Sequence, residues 1–148
     1  MTTLHHEIKI NAPVEKVWQV LADLEQVQYY NPLVARTRYI SSNREGEGAA
    51  RYCDFKPKGF SKERVTEWAP NQLLGMEIIE SSFPMRYTRW KTYLKKDGFG
   101  TRVMQDLEYE VKFGLFGKLL DVLLMRRKYD NVLAGIFNGL KNYLEQGK

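Results

Sequence analysis

From Leu33 to Val111 the chain carries no helical periodicity, only short alternating runs separated by turn signals, and it returns to a period near 3.6 only after Lys118. This ordering constrains the fold more than any single motif. Strands that follow one another through short turns pair as an antiparallel sheet, and such a sheet has an apolar face to cover. The only element long enough to cover it is the helix at the end of the chain.

The individual elements follow from local patterns. Residues Thr3 to Ile10 alternate, with Leu4, His6, Ile8 and Ile10 on one side, and predict a strand with one buried face. Asn11 is the expected N-cap of a first helix, with Pro13 in its first turn and Val14, Val17, Trp18, Leu21 and Leu24 along one stripe. The Asn31-Pro32 pair stops that helix, because a residue before proline avoids the α region. Strands are predicted over Val34–Ser41, Ala49–Phe55, Phe60–Trp68, Leu73–Glu80, Arg86–Leu94 and Thr101–Val111. The turns between them read SNREGEG, KPKG, APNQ, a break around Ser81 to Pro84, and KKDGFG. KFGLFG then connects to a helix over Lys118–Gln146, in which Leu119, Val122, Tyr129, Leu133, Ile136, Leu140 and Tyr143 recur at helical spacing. The fold class is α+β: seven antiparallel strands, one or two short helices after the first, and a long C-terminal helix. No internal repeat or low-complexity segment divides the chain, so residues 1–148 are expected to form one domain.

Charge and cysteine usage narrow the function classes. The formal net charge is +5, but the 23 Lys and Arg are scattered, which suits a solvated surface better than a nucleic-acid footprint. Cys53 is the one cysteine, so there is neither an intramolecular disulfide nor a multi-thiolate metal site. His5 and His6 are adjacent in an extended segment and point to opposite faces, so they are no chelating pair. Neither a metal nor a cofactor is expected: there is no dinucleotide fingerprint or phosphate loop, and GFG (Gly98 to Gly100) is a turn. No secretory signal pattern and no apolar run of membrane-spanning length is present, and a cytoplasmic location is the expectation.

Several stretches together resemble the START-like, helix-grip superfamily (SRPBCC), and most closely its polyketide cyclase/dehydrase branch. They are INAPVEKVWQVLADLEQVQYYNP, GEGAARYCDF, KERVTEWAP, GTRVMQDLEYEV and FGLFGKLLDVLLMRRKYDNVLAGIFNGLKNYLE, in that order. The resemblance implies a strongly curved sheet gripping the terminal helix, with a cavity for an apolar or amphipathic small molecule between them. It also implies that the aromatic turn after the first helix lies near the cavity. Tyr29, Tyr30 and Pro32 then form either a rim with phenolic hydroxyls or a plug at one end of the core. A cavity of about 300 to 1,000 Å³ is expected for such a ligand.

If the concave face lines the cavity, alternation nominates the inward side chains: Met76 and Ile78, then Trp90, then Gln105 and Tyr109. The terminal helix offers Tyr129, Leu133 and Phe137, and the turn and hairpin add Tyr30 and Phe55. Thr88, Thr92 and Gln105 are polar on these same faces and need partners. Arg51 and Glu63 stand on the two arms of the KPKG hairpin. They read either as an inward ion pair able to bind a carbonyl or carboxylate, or as an ordinary cross-strand salt bridge in partial solvent. His6 is a wall residue or, with Arg51 and Glu63, a candidate for proton transfer in a cyclase, aromatase or dehydratase acting on a poly-keto chain. The expected partner is therefore a hydrophobic small molecule such as a lipid, isoprenoid or polyketide, bound or transformed by a monomer or homodimer. The apolar then basic stretch Phe113 to Lys128 reads as a gate, a transient membrane-surface contact or a packing and dimer surface.

Overall fold

The computed structural model describes residues 2–112, 114 and 126–146, with Arg126 and Tyr129 described in their backbone only. The expected Phe113–Lys128 surface and the first part of the terminal helix therefore lie mostly outside the described residues. Strand β1 spans Thr2–Ile10 and leads to helix α1, Val14–Ala22. A 3-10 turn, Leu24–Gln26, and a single-turn helix α2, Val27–Tyr30, complete the first helical segment. Strands β2 (Val34–Tyr39), β3 (Ala50–Phe55), β4 (Phe60–Ala69), β5 (Leu73–Ser81), β6 (Met85–Asp97) and β7 (Gly100–Val111) follow, and helix α3 runs from Arg126 to Gln146.

The seven strands form one curved antiparallel sheet in the order β1-β7-β6-β5-β4-β3-β2. Each strand from β2 to β7 pairs with its sequence neighbour, and β1 closes onto β7. On β7 the alternation is strict: Thr101, Val103, Gln105, Leu107, Tyr109 and Val111 are all buried. Four register shifts interrupt the ladders, at Val34/Arg36, Lys62/Glu63, Val65/Glu67 and Met85/Tyr87. Such bulges raise local twist and bend the strand, which lets a sheet curl around a helix.

Helix α3 lies against β1 and α2. Its buried stripe is Leu133, Phe137, Leu140 and Leu144, at spacings of four, three and four. Burial of each of these side chains contributes roughly 1.5–3 kcal/mol. Gly139 lies near this stripe for a steric reason. A Cβ there would overlap the carbonyl oxygen of Tyr30, so only glycine lets α3 approach the end of α2 this closely.

Several boundaries differ from expectation: the first helix breaks at Ala22 into a 3-10 turn and α2 before Asn31-Pro32, β2 stops at Tyr39 short of Ser41, β6 runs on to Asp97, and the start of α1 moves. Asn11 is not the N-cap: α1 begins at Val14, with Pro13 in the cap position in an extended conformation and no side-chain cap. The Asn11 N–H instead donates to Glu145 Oε2 at 2.8 Å, and the Ala12 carbonyl accepts from Thr101 Oγ1 at 2.8 Å. Asn11 and Ala12 thus join strand, sheet and terminal helix, and the helix waits until the fixed φ of proline starts it.

Candidate functional site

Between the concave face of the sheet and α3 lies a cavity of about 150 Å³. Its walls come from every layer: Tyr30 and Asn31 from α2 and its end, Phe55 from β3, Met76 from β5, Trp90 from β6, and Leu133 and Phe137 from α3. Gln105 of β7 joins them, so seven of the ten nominated ligand-binding residues meet in one place. The volume is below the expected 300 to 1,000 Å³.

The remaining nominees are elsewhere. Ile78 is half-buried and is not among the residues that line the cavity, although it stands opposite Glu63 in the β4–β5 register. Tyr109 is fully buried in a separate cluster with Leu107, Val111 and Leu133, further along β7. The side chain of Tyr129 lies outside the described residues. His6 does not reach the cavity: its Nε2 lies 2.7 Å from Asp130 Oδ1, and its ring packs edge-on against the outer part of the wall at Phe137.

Arg51 and Glu63 are directly opposite in the β3–β4 register, and both side chains are only 7% exposed. The pair is therefore buried, and the partial-solvent reading is corrected. Arg51 Nε and Nη2 approach Glu63 Oε1 at 2.8 and 2.7 Å, while Nη1 donates to the Leu24 carbonyl at 3.2 Å. Ser61 Oγ donates to Glu63 Oε2 at 2.7 Å, so both carboxylate oxygens are engaged. Burial is the largest single influence and lowers the proton affinity of the guanidinium, but the charge of Glu63, its hydrogen bond and the neighbouring Cys53 and Tyr30 together hold Arg51 above its ordinary range.

Tyr30 and Cys53 complete this polar end. The Tyr30 phenol is pushed up by burial, against the pull of the neighbouring Arg51 cation. The Cys53 thiol is pushed up to about 11, by burial first and then by the Glu63 charge, and its Sγ accepts from Thr37 Oγ1 at 3.6 Å. A thiol so placed is a small apolar wall group and no nucleophile. Across the cavity, Thr92 Oγ1 donates to Gln105 Oε1 at 3.2 Å, which leaves the amide N–H groups of Gln105 free of that bond.

Thr92 and Leu74, both on inward faces by period-two alternation, line the cavity too. A feature the sequence did not announce is a second cleft of about 590 Å³, outside the first and sharing Tyr30, Asn31 and Val34 with it. Tyr29, 65% exposed, and Pro32 line this outer cleft, while Tyr30 is buried and faces the cavity. The aromatic turn is thus wall on one side and rim on the other. Thr88 Oγ1 is buried without a hydrogen-bond partner, the one such side-chain atom among the described residues. Among those residues no three of His, Cys, Asp and Glu gather as metal ligands, and no helix is long and apolar enough to cross a membrane.

Comparison with known proteins agrees with this architecture. The model of a family described as polyketide cyclase/dehydrase and lipid transport matches residues 1–145. The protein TTHA0849 from Thermus thermophilus superposes with a TM-score of 0.83 at 22% identity, over 99% of both chains. A START superfamily protein from Mycobacterium smegmatis does so with a TM-score of 0.82 at 16% identity, again over 99% of each. The structure of Ara h 8.0201 gives 0.76 at 15% identity, covering 99% of both chains. At these identities the likeness is one of fold. No curated protein matches the chain.

Proposed function

The chain belongs to the polyketide cyclase/dehydrase and lipid transport family, and from the chemistry of its cavity we propose that it binds a small, mainly apolar molecule carrying one oxygen function. The observation that carries this reading is the buried Arg51–Glu63 pair in the wall of a mainly apolar hollow, whose other polar wall groups include Asn31, Thr92 and Gln105. A guanidinium has five N–H donors, and what is not used by Glu63, Leu24 and the Tyr30 hydroxyl suits a carbonyl, carboxylate or phenolic oxygen. Leu74, Met76, Trp90 and Phe137 supply the apolar contact. A cavity of about 150 Å³ takes a single aromatic ring or a short branched chain. A longer ligand extends past Tyr30 into the outer cleft.

The cyclase or dehydratase reading needs a base facing the cavity. His6 is turned to Asp130, both oxygens of Glu63 are engaged, and the Cys53 thiol resists ionisation. Binding uses the polar cluster as it stands, which favours a carrier or receptor over a catalyst.

Native mass spectrometry and thermal-shift titration with benzoate, naphthols, short fatty acids and their parent hydrocarbons test the proposal. The oxygenated members are expected to bind, with the Arg51→Met/Glu63→Leu double variant losing their advantage over the hydrocarbons. A protein that stays free of every compound, or a double variant with the same preference as wild type, overturns it.

A further inference from the structure

We propose that the end of the molecule built by the β3–β4 and β5–β6 turns docks on an anionic lipid membrane. The two turns are tied side by side. The Phe60 N–H donates to Ser82 Oγ at 2.9 Å, and the Ser82 N–H donates to the Phe60 carbonyl at 3.1 Å. A Cβ on Gly59 would stand 3.0 Å from the Phe83 ring, so the turns are in close contact. Two more segments join this end: the Lys56 N–H donates to the Leu33 carbonyl at 2.8 Å and the Lys112 N–H to the Pro84 carbonyl at 3.0 Å.

The composition of this end is amphipathic. Leu33 and Phe83 are exposed at 38% and 36%, beside the exposed prolines Pro57 and Pro84. Lys56, Lys58 and Lys112 are exposed around them, and none pairs with a carboxylate among the described residues. Elsewhere the outer face of the sheet is neutralised cross-strand, by Arg64–Glu77, Lys91–Glu67 and Arg89–Glu108. Two of the carboxylates nearest this end are held, Glu80 by Lys62 and Glu110 by Arg86, while Asp54, in register with Arg36, makes no ion pair among the described residues. Three lysines without an ion pair among the described residues thus surround an apolar tip, the pattern that suits anionic headgroups over an acyl boundary.

The surface also connects to the interior. Phe83 packs against Phe55 with ring centroids 5.4 Å apart, and Phe55 lines the cavity. Insertion of Phe83 into a bilayer would draw on that contact, next to the space that the proposed ligand occupies. The opposite hairpin also projects an aromatic, Phe99, with Lys95 and Lys96 nearby. Its tip carries a carboxylate, Asp97, 3.2 Å from Arg102 and 3.9 Å from Lys9, and it has no contact with the cavity wall.

Co-sedimentation of the full chain with sucrose-loaded vesicles tests this without any cavity ligand, so its outcome is independent of the proposed cargo. Vesicles of phosphatidylcholine are compared with vesicles containing about 30 mol% phosphatidylserine, at about 0.1 M and 0.5 M salt. Binding is expected to the anionic vesicles alone and to weaken with salt. Lys56→Glu/Lys58→Glu is expected to lower partitioning by about tenfold or more, and Phe83→Ser to lower it at unchanged salt sensitivity. Circular dichroism confirms that these exposed-turn variants stay folded, and Lys112→Glu provides a second charge reversal should one not. Absence of binding, equal binding to neutral vesicles, or loss through Lys95→Glu/Lys96→Glu in place of Lys56→Glu/Lys58→Glu overturns the proposal.

Discussion

Replacing Glu63 by glutamine removes one charge from the interior and almost nothing else. The amide keeps the shape of the carboxylate, and its oxygen still faces Arg51 Nε and Nη2, which stand at 2.8 and 2.7 Å in the wild type. Ser61, which donates to Oε2 at 2.7 Å, can rotate to accept from the new amide. What changes is that Arg51, with a side chain 7% exposed, remains cationic without a counter-charge. Removing one partner of a buried pair costs about 3–5 kcal/mol. With the hydrogen bonds retained, the lower end applies, so about 3 kcal/mol is expected. At about 2–4 °C per kcal/mol for a chain of this size, the melting temperature falls by about 6–12 °C. Urea unfolding followed by tryptophan fluorescence measures the change, since Trp18, Trp68 and Trp90 are all at least partly buried. The Arg51→Met/Glu63→Leu double variant is expected to return to within about 1 kcal/mol of wild type, because matched apolar groups replace the pair. If Glu63→Gln alone lies within about 1 kcal/mol of wild type, the guanidinium is well hydrated where it stands. The description of this end of the cavity as a low-polarity environment then falls.

Four further outcomes are expected. Gly139→Ala forces α3 away from Tyr30 and is expected to destabilise by about 1–3 kcal/mol, whereas Gly135→Ala, with no described atom within 4 Å of the added carbon, stabilises by about 0.5–1 kcal/mol; thermal denaturation of the two compares them. Thr88→Val removes a buried hydroxyl that has no partner and is expected to raise stability by about 1 kcal/mol, read by the same denaturation. Cys53 is expected to resist a disulfide reagent at pH 8 until the protein unfolds. The unfolded chain ionises this thiol first, so stability is untouched below pH 9.0 and declines as pH rises from there to about 11. The His5 imidazole is raised from 6.5 chiefly by its hydrogen bond to Asp106 at 2.6 Å. Its small stabilisation is complete below 6.5 and disappears as pH rises through the elevated midpoint, which a proton NMR titration locates and Asp106→Asn lowers.

The architecture was legible where local pattern and global packing agree. Period-two alternation on β7 identified its buried face from Val103 to Tyr109, and the turn signal at Lys56–Gly59 was enough to anticipate Arg51 facing Glu63. Helical spacing placed Leu133 and Leu140 on the inner stripe of α3. The failures have a common origin in nonlocal geometry. Asn11 is a good cap by residue type, but its N–H is taken by Glu145, far away in the chain. Ile78 continues the alternation of Leu74 and Met76, but on β5 the cavity wall ends at Met76, and how far a cavity runs along a strand is not written in the strand itself. His6 has the parity of an inward residue, yet β1 is an edge strand under α3, and Asp130 meets it there. Cavity size was beyond reach as well, because it depends on how near the helix comes to the sheet.

The contact between Gly139 and the end of α2 divides the labour of specificity. Tyr30 contributes its carbonyl to a backbone junction and its ring to the cavity, so a change on that side must satisfy both demands at once. Leu74, Met76 and Trp90 hang from strands whose ladders are indifferent to side-chain volume. If the chamber holds the ligand proposed above, selection for a different one would rewrite its β side and leave the helical side nearly constant. Among relatives of this shape, chemical preference is expected to track the residues at those three strand positions more closely than anything on the two facing helices.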